Sequence, residues 1–282
     1  MLSIGVVGIC ILIITVLVSL SSFKNRSLFD SLSFNIAEIL ARKDYKRLLS
    51  SGFIHADFNH LLFNMLSFYF FAGIVESILG SISFLLIYII SLLGGSFLSL
   101  WMNKDNPHYR AVGASGAVSG VIFAAIVLDP GMMLGLFFII PMPGWAFALG
   151  FIAYSIFGMK NKRDNIGHDA HLGGALTGML LAIYFKPKMI FENTLPIAMV
   201  AIPSIIYMFL LFMGIDIAKK QNFKIIKPSK NFKPEYYDVE DYYRDKKKKK
   251  EEELNMLLDK LSKKGFDSLT EEEKKKLDSL SK

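Results

Sequence analysis

The sequence predicts an all-α, polytopic membrane helix bundle: a core of six spans, a seventh span after it, and a small helical tail. Three observations predict this class. Apolar residues make up 52% of the 282 positions and 24 are Phe, more apolar surface than a soluble domain can cover. Seven apolar runs lie at about residues 3–22, 58–79, 82–102, 113–129, 144–159, 168–185 and 194–215. Each approaches the ~20 residues that carry a helix across a bilayer. Charge is displaced into loops and toward the end of the chain, where the run Lys246 to Lys250 contributes much of the net +7.

The first run has no basic stretch ahead of it. Ser19-Leu20-Ser21-Ser22 is a poor cleavage signal, so this run is expected to stay as a first span rather than leave as a signal peptide. Cys10 is the single cysteine, which excludes an internal disulfide and a cysteine-based metal site. Residues Phe23 to Asp57 mix Arg42, Lys43, Lys46 and Arg47 with Ile39-Leu40 and Leu48-Leu49, the pattern of short amphipathic helices lying in the interface. The apolar stretch Met132 to Pro143 is too short to span and ends in Pro141-Met142-Pro143. It reads as a re-entrant or interfacial connection before the fifth span. Pro196 and Pro203 in the seventh run are tolerated where neighbouring helices satisfy the freed carbonyls. Asp57, Glu76, Asp129 and Asp169 fall at span edges and are expected to be boundary residues.

The chain divides into a membrane domain over 1–190, a seventh membrane segment over 191–217, a linker over 218–245 and a charged tail over 246–282. Pro228, Pro234 and the Tyr/Asp-rich patch Tyr236 to Tyr243 mark the linker. In the tail, Leu254, Leu257, Leu258 and Leu261 recur at helical spacing, Gly265 is a stop, and Thr270 with Glu273 forms a capping box ahead of Leu277 and Leu280. That is a solvated helical hairpin in preference to a docking module.

Polar side chains at membrane depth are costly and mark function. Gly113-Ala114-Ser115-Gly116 opens the fourth span, His60 and Asn64 sit near the start of the second, and His171 near the start of the sixth. If the spans alternate in direction, all three starts lie on one side of the membrane. Gly116 and Gly120 are four apart, as are Gly174 and Gly178, so each pair forms a small-residue helix face that lets two backbones approach closely. Pairing those faces brings Ser115 and His171 to the same level as nucleophile and general base. His60 and Asn64, at i and i+4, share a helix face. With the Ser115 backbone N–H they form a candidate oxyanion hole.

Other chemistries explain less. A zinc site from His55, His60, His168, Asp169 and His171 has no His-Glu-x-x-His motif and leaves Ser115 and its glycines without a purpose. Nucleic-acid binding would rest on the basic tail alone, with no aromatic-basic groove. A transporter lacks an inverted repeat and an intramembrane carboxylate pair.

These residues resemble the rhomboid intramembrane serine proteases. The resemblance covers about residues 40–185: Tyr45-Lys46-Arg47, His60-x-x-x-Asn64-Met65, Gly113-Ala114-Ser115-Gly116 and Ala170-His171-x-x-Gly174-x-x-x-Gly178. It implies a six-helix catalytic core, a Ser115–His171 dyad, oxyanion donors at His60 and Asn64, no cofactor and no metal. Its implied substrates are membrane-anchored proteins cleaved in or near a transmembrane segment. Where the family often has Trp-Arg in the interfacial loop, this chain has Lys46-Arg47. A non-proteolytic, client-binding relative would have lost the nucleophile or the base, and this chain keeps both.

A tail like Lys264-Gly-Phe-Asp-Ser-Leu-Thr-Glu-Glu-Glu-Lys occurs on some bacterial relatives, which implies a bacterial inner membrane with the active site facing outward. The loop charges pull the other way. Lys24, Arg26, Arg42, Lys43, Lys46, Arg47, Lys104, Arg110, Lys160, Lys162 and Arg163 lie on the Ser115 side, against Lys186 and Lys188 opposite, an excess that favours a cytoplasmic site.

Overall fold

A computed structural model describes residues 4–136, 140–161, 166–213, 260 and 270. The chain separates into two units, 1–220 and 221–282. The expected linker and helical tail, residues 218–282, lie outside the described residues apart from 260 and 270.

The membrane unit begins with α1 (Val6–Lys24), followed by α2 (Arg26–Leu32), strand β1 (Phe34–Asn35), α3 (Ile36–Ala41), α4 (Arg47–Ser50) and a 3-10 turn over Ser51–Phe53. Next come α5 (Phe58–Leu79), α6 (Ser81–Asn103), β2 (Arg110–Ala111), α7 (Ser115–Leu128), β3 (Met133–Leu136), β4 (Ile140–Pro143) and α8 (Gly144–Asn161). The last described helices are α9 (His168–Phe185), α10 (Lys188–Glu192) and α11 (Thr194–Phe212). Helices α1, α5, α6, α7, α8, α9 and α11 occupy the seven expected runs. Three of them, α1, α5 and α6, are long and apolar enough to cross a membrane by themselves. This is an all-α membrane bundle, with two small antiparallel ladders added to it.

Helix α7 explains the shorter members. Its 14 residues extend ~21 Å, less than the ~30 Å of a bilayer's hydrocarbon. Every residue after Ser115 in it is buried, so it is enclosed by other helices and does not face lipid. A helix enclosed in this way does not have to match the bilayer thickness.

Several boundary expectations need correction. Glu76 is buried, not set at the water boundary. Its carboxylate accepts hydrogen bonds from the amides of Val7 (3.1 Å) and Gly8 (3.0 Å) and from the Ser81 hydroxyl (2.8 Å). It thereby satisfies donors that α1 leaves open at its start, and a negative charge is favourable at that end. Asp169 is buried too and accepts from Asn103 Nδ2 at 2.6 Å, because α6 and the loop after it cover the first turn of α9. Asp57 does sit at an edge, where it caps α5 by accepting from the His60 amide at 2.8 Å. Within the stretch 132–143, β3 and β4 pair antiparallel, Met133 with Pro143 and Leu136 with Ile140. A run with two prolines can form such a ladder only as a short edge, where their missing N–H groups go unused.

The interfacial segment forms three short helices, as its amphipathic pattern suggests, and two features moor it. Strand β1 pairs with β2, Phe34 opposite Ala111 and Asn35 opposite Arg110, which ties it to the residues leading into α7. Arg47 is buried; its Nη1 donates to the carbonyls of Asp30 (2.6 Å) and Ser33 (2.8 Å), and its Nε to Asp44 (2.9 Å). The Lys46-Arg47 pair therefore keeps the structural half of the usual motif. Arg47→Met is expected to lower stability by about 1–3 kcal/mol in thermal unfolding, since it strands buried carbonyls. Exposed Arg42, which bonds Glu38 one turn away, should tolerate the same change within about 0.5 kcal/mol.

Candidate active site

The site is built where α7 begins. Gly113 has φ +123°, a backbone state that side-chain-bearing residues rarely adopt. A Cβ there would also meet the His60 ring, at 2.8 Å from Cε1 and 2.9 Å from Nε2. The glycine turns the chain so that Ala114 and Ser115 enter the helix directly. The first bond across this turn runs from the Val118 amide to the Ala114 carbonyl (2.9 Å), and no side chain caps the helix. The amides of Ser115, Gly116 and Ala117 therefore have no acceptor within their own helix, at the end where the helix dipole favours negative charge. Ser115 itself is half-buried.

Helix α9 lies alongside α7 and runs parallel to it. A Cβ on Gly174 would collide with the Gly116 carbonyl oxygen, and one on Gly178 with that of Gly120. One turn nearer the start, a Cβ on Gly116 would stand 3.3 Å from the Ala170 carbonyl oxygen. The two glycine faces meet in the expected register. Ser115 and His171 are thus each the chain neighbour of a residue in the backbone contact between Gly116 and Ala170. The His171 ring is half-buried and lies 5.9 Å from the ring of Phe151 on α8 and 6.1 Å from that of His168.

The packing involves one more helix than the sequence indicated. Gly94 and Gly95 of α6 close onto α9: a Cβ on Gly95 would be 2.5 Å from the Ala170 carbonyl oxygen, and one on Gly173 2.8 Å from that of Gly94. Gly94-Gly95 and Gly173 were legible as small residues but carry no fixed spacing to mark them.

The His60 ring on α5 borders Gly113. Asn64, one turn later, is buried, and its Nδ2 donates to the His60 carbonyl at 3.0 Å. The predicted face is formed, with one amide hydrogen of Asn64 held by its own helix. His55, which the sequence offers only as a metal ligand, is fully buried and 4.9 Å from the His60 ring. Its Nε2 accepts a hydrogen bond from the Ala114 amide (3.2 Å), and its Nδ1 lies 2.9 Å from the Ser19 hydroxyl. Both ring nitrogens are committed to hydrogen bonds, which removes His55 from any metal-ligand set. The exposed His108 belongs to neither group.

Burial is the main cause that lowers the His55 pKa, from 6.5 to about 3; the nearby His60 adds to the effect and Asp57 opposes it. The folded protein therefore keeps the ring neutral while the unfolded chain protonates it below pH 6.5. Between about pH 6.5 and pH 3 the unfolded state binds more protons, so stability falls as pH falls, by up to about 1.4 kcal/mol per pH unit from this group. His55→Gln is expected to flatten the acid slope of thermal stability in that window.

Comparison with known proteins decides the family. The rhomboid family profile, described as Rhomboid domain, matches residues 42–188 and so takes in both glycine faces, His60, Asn64, Ser115 and His171. The chain belongs to the rhomboid family. A second profile, a family of unknown function (DUF6576), matches residues 237–282 in the tail. The rhomboid region is 33% identical over 160 residues to "Rhomboid protein 1, mitochondrial" of Saccharomyces cerevisiae, covering 52% of this chain and 45% of that one. It is 32% identical over 143 residues to "RHOMBOID-like protein 12, mitochondrial" of Arabidopsis thaliana, covering 45% and 43%. A Bacillus subtilis relative named "Putative rhomboid protease YdcA" is 33% identical over 154 residues, covering 53% and 71%. The chain thus spans less than half the length of the two mitochondrial relatives.

Proposed function

We propose that this rhomboid is a serine endopeptidase that cleaves membrane-anchored proteins in or near a transmembrane segment. The observation that carries the reading is the register of α7 on α9. Gly116 on Gly174 and Gly120 on Gly178 bring the start of each helix, and hence Ser115 and His171, to one level.

In this mechanism Ser115 Oγ attacks the scissile carbonyl while His171 takes its proton. The tetrahedral oxyanion accepts hydrogen bonds from the Ser115 amide, the His60 ring and the free amide hydrogen of Asn64. His171 then protonates the leaving amine, and a water activated by the same ring hydrolyses the acyl-enzyme. No cofactor or metal takes part. The substrate approaches between α5 and α8, whose His60 borders Gly113 and whose Phe151 borders His171. Peptide bonds in an intact helix are screened by their own hydrogen bonds, so good substrates carry helix-weakening residues at the cut.

The protein is an integral membrane protein. We place it in a bacterial inner membrane with the site facing outward, as the family resemblance implies. Five cations at the site end, Arg26, Arg42, Lys46, Arg47 and Arg110, are held by Asp30, Glu38 and Asp44. Buried Arg47 thus has a structural reason for its position besides orientation. The membrane domain over 1–190 carries the catalysis in this reading, with 191–217 as an added span, 218–245 as linker and 246–282 as a separate tail.

The test is cleavage of single-span reporter proteins by the purified full chain in liposomes. Cleavage that depends on Ser115 supports the proteolytic reading. Reporters that bind without being cut would favour a client-binding rhomboid.

A further inference from the structure

Serine and threonine hydroxyls in membrane helices commonly bond back to the carbonyl four residues earlier in their own helix. Ser21 does so to Leu17, Ser119 to Ser115, Thr177 to Gly173 and Ser204 to Val200. Ser19, on the last part of α1, does not. It is fully buried and reaches out of its helix to the segment that precedes α5, with its Oγ 3.0 Å from the Phe53 carbonyl and 2.9 Å from His55 Nδ1.

The direction of each bond follows from the ends of the chain. The Ala114 amide can only donate, so His55 Nε2 is the acceptor and the ring proton sits on Nδ1. Nδ1 then donates to Ser19 Oγ, whose own proton goes to the Phe53 carbonyl, which can only accept. Every member is satisfied, and no other arrangement of protons satisfies it. The same segment also holds Gly113, whose amide donates to the Ser51 carbonyl at 2.9 Å. Two successive residues ahead of Ser115 are thus hung from residues 51–55, and Ser19 grips that segment at two points.

We propose that Ser19 is a positioning residue for the reaction: through the His55 ring, its hydroxyl sets the turn that presents Ser115. Removing the hydroxyl leaves the Phe53 carbonyl and the His55 Nδ1 proton buried without partners. The ring then has reason to move its proton to Nε2, where it would confront the Ala114 N–H donor against donor. The turn loosens, and the Ser115 hydroxyl and amide lose their fixed relation to α9. The first helix of the chain thereby acts on catalysis without touching substrate. The proposal rests on the reading of Ser115 as nucleophile, and the experiment separates the two.

Full-length wild type, Ser19→Ala and Ser21→Ala would be compared in liposomes by reporter cleavage and by hydrogen exchange at the Ala114 amide. Ser21 is an exposed hydroxyl on the same helix and serves as the control. For Ser19→Ala the expected result is a kcat about tenfold lower with KM unchanged, as for a slightly misplaced reacting group. Exchange at Ala114 should also be about tenfold faster, as for a loss of local protection. Ser21→Ala should match wild type in both. A merely structural role would lower the active fraction without speeding exchange in the folded molecules. Unchanged exchange in Ser19→Ala overturns the proposal, and so does faster exchange with unchanged kcat. If wild-type cleavage does not depend on Ser115, the proteolytic reading fails, while the exchange comparison still decides whether Ser19 holds the turn.

Discussion

Ser115→Ala is expected to abolish reporter cleavage, by at least about 10⁴-fold, and His171→Ala to do nearly the same. A serine hydroxyl at its ordinary pKa is a weak nucleophile, and without a base beside it the attack has no route for the proton. In the proposed mechanism nucleophile and base act in one step, so the double variant should be no worse than either single one; additive losses would mean that the two residues serve separate steps. Ser115→Ala removes only Oγ from a half-buried position at a helix start, so the fold should persist and substrate should still bind. His60→Ala tests a different part of the site. In the proposed mechanism it leaves the nucleophile and base in place but removes an oxyanion donor, so a smaller loss of about 10²–10³-fold in kcat is expected. The measurement is the initial rate of a single-span reporter in liposomes, with unfolding temperatures recorded for each variant. Cleavage at wild-type rate by Ser115→Ala would sink the mechanism.

Gly174→Ala and Gly178→Ala should be the most damaging small substitutions in the membrane unit. At both positions the added Cβ meets a backbone carbonyl oxygen of α7, an atom that cannot rotate aside. The helices must separate instead, and overpacking of this kind costs about 1–3 kcal/mol. Activity should fall further than stability, because the same separation draws His171 away from Ser115. Two controls bracket the effect. Gly116→Ala meets the Ala170 carbonyl oxygen at 3.3 Å, a tight but smaller conflict, and should be milder. Gly150 on α8 has no heavy atom within 4 Å of its would-be Cβ, so Gly150→Ala should be neutral or slightly stabilising. Thermal unfolding and reporter cleavage across this series would check the order. If Gly178→Ala is as stable and active as Gly150→Ala, the close α7–α9 packing is wrong.

Much of this architecture is legible in one chain because a bilayer imposes simple rules. Apolar length marks the spans, and all seven runs are helices at nearly the expected limits. Small residues four apart mark the faces where helices meet, and Gly116/Gly120 and Gly174/Gly178 do meet. What escaped the reading has a common character. Glu76 looks like an edge residue by position, yet it turns inward to the start of α1. His55 lies outside every span, so its hydropathy says nothing of the amide it holds. Gly94-Gly95 and Gly173 have no periodic partner in the sequence, and their role as a third packing surface depends on where α6 lies. The β3–β4 ladder was hidden by prolines that argue against strands in general and permit them only at an edge.

Fold class, the order of the spans and the expectation that Ser115, His171, His60 and Asn64 share one side are all readable along the chain. These follow from apolar length, alternation across a membrane and helical spacing, all of which are local along the chain. The inward turn of Glu76 and the Ser19–His55–Ala114 chain depend instead on the folded molecule. A buried donor or acceptor is shut off from water, so its partner has to come from whatever the folded chain brings within about 3 Å. Partners such as Ser19 and His55, or His55 and Ala114, lie 36 and 59 positions apart, and no pattern within either segment names the other.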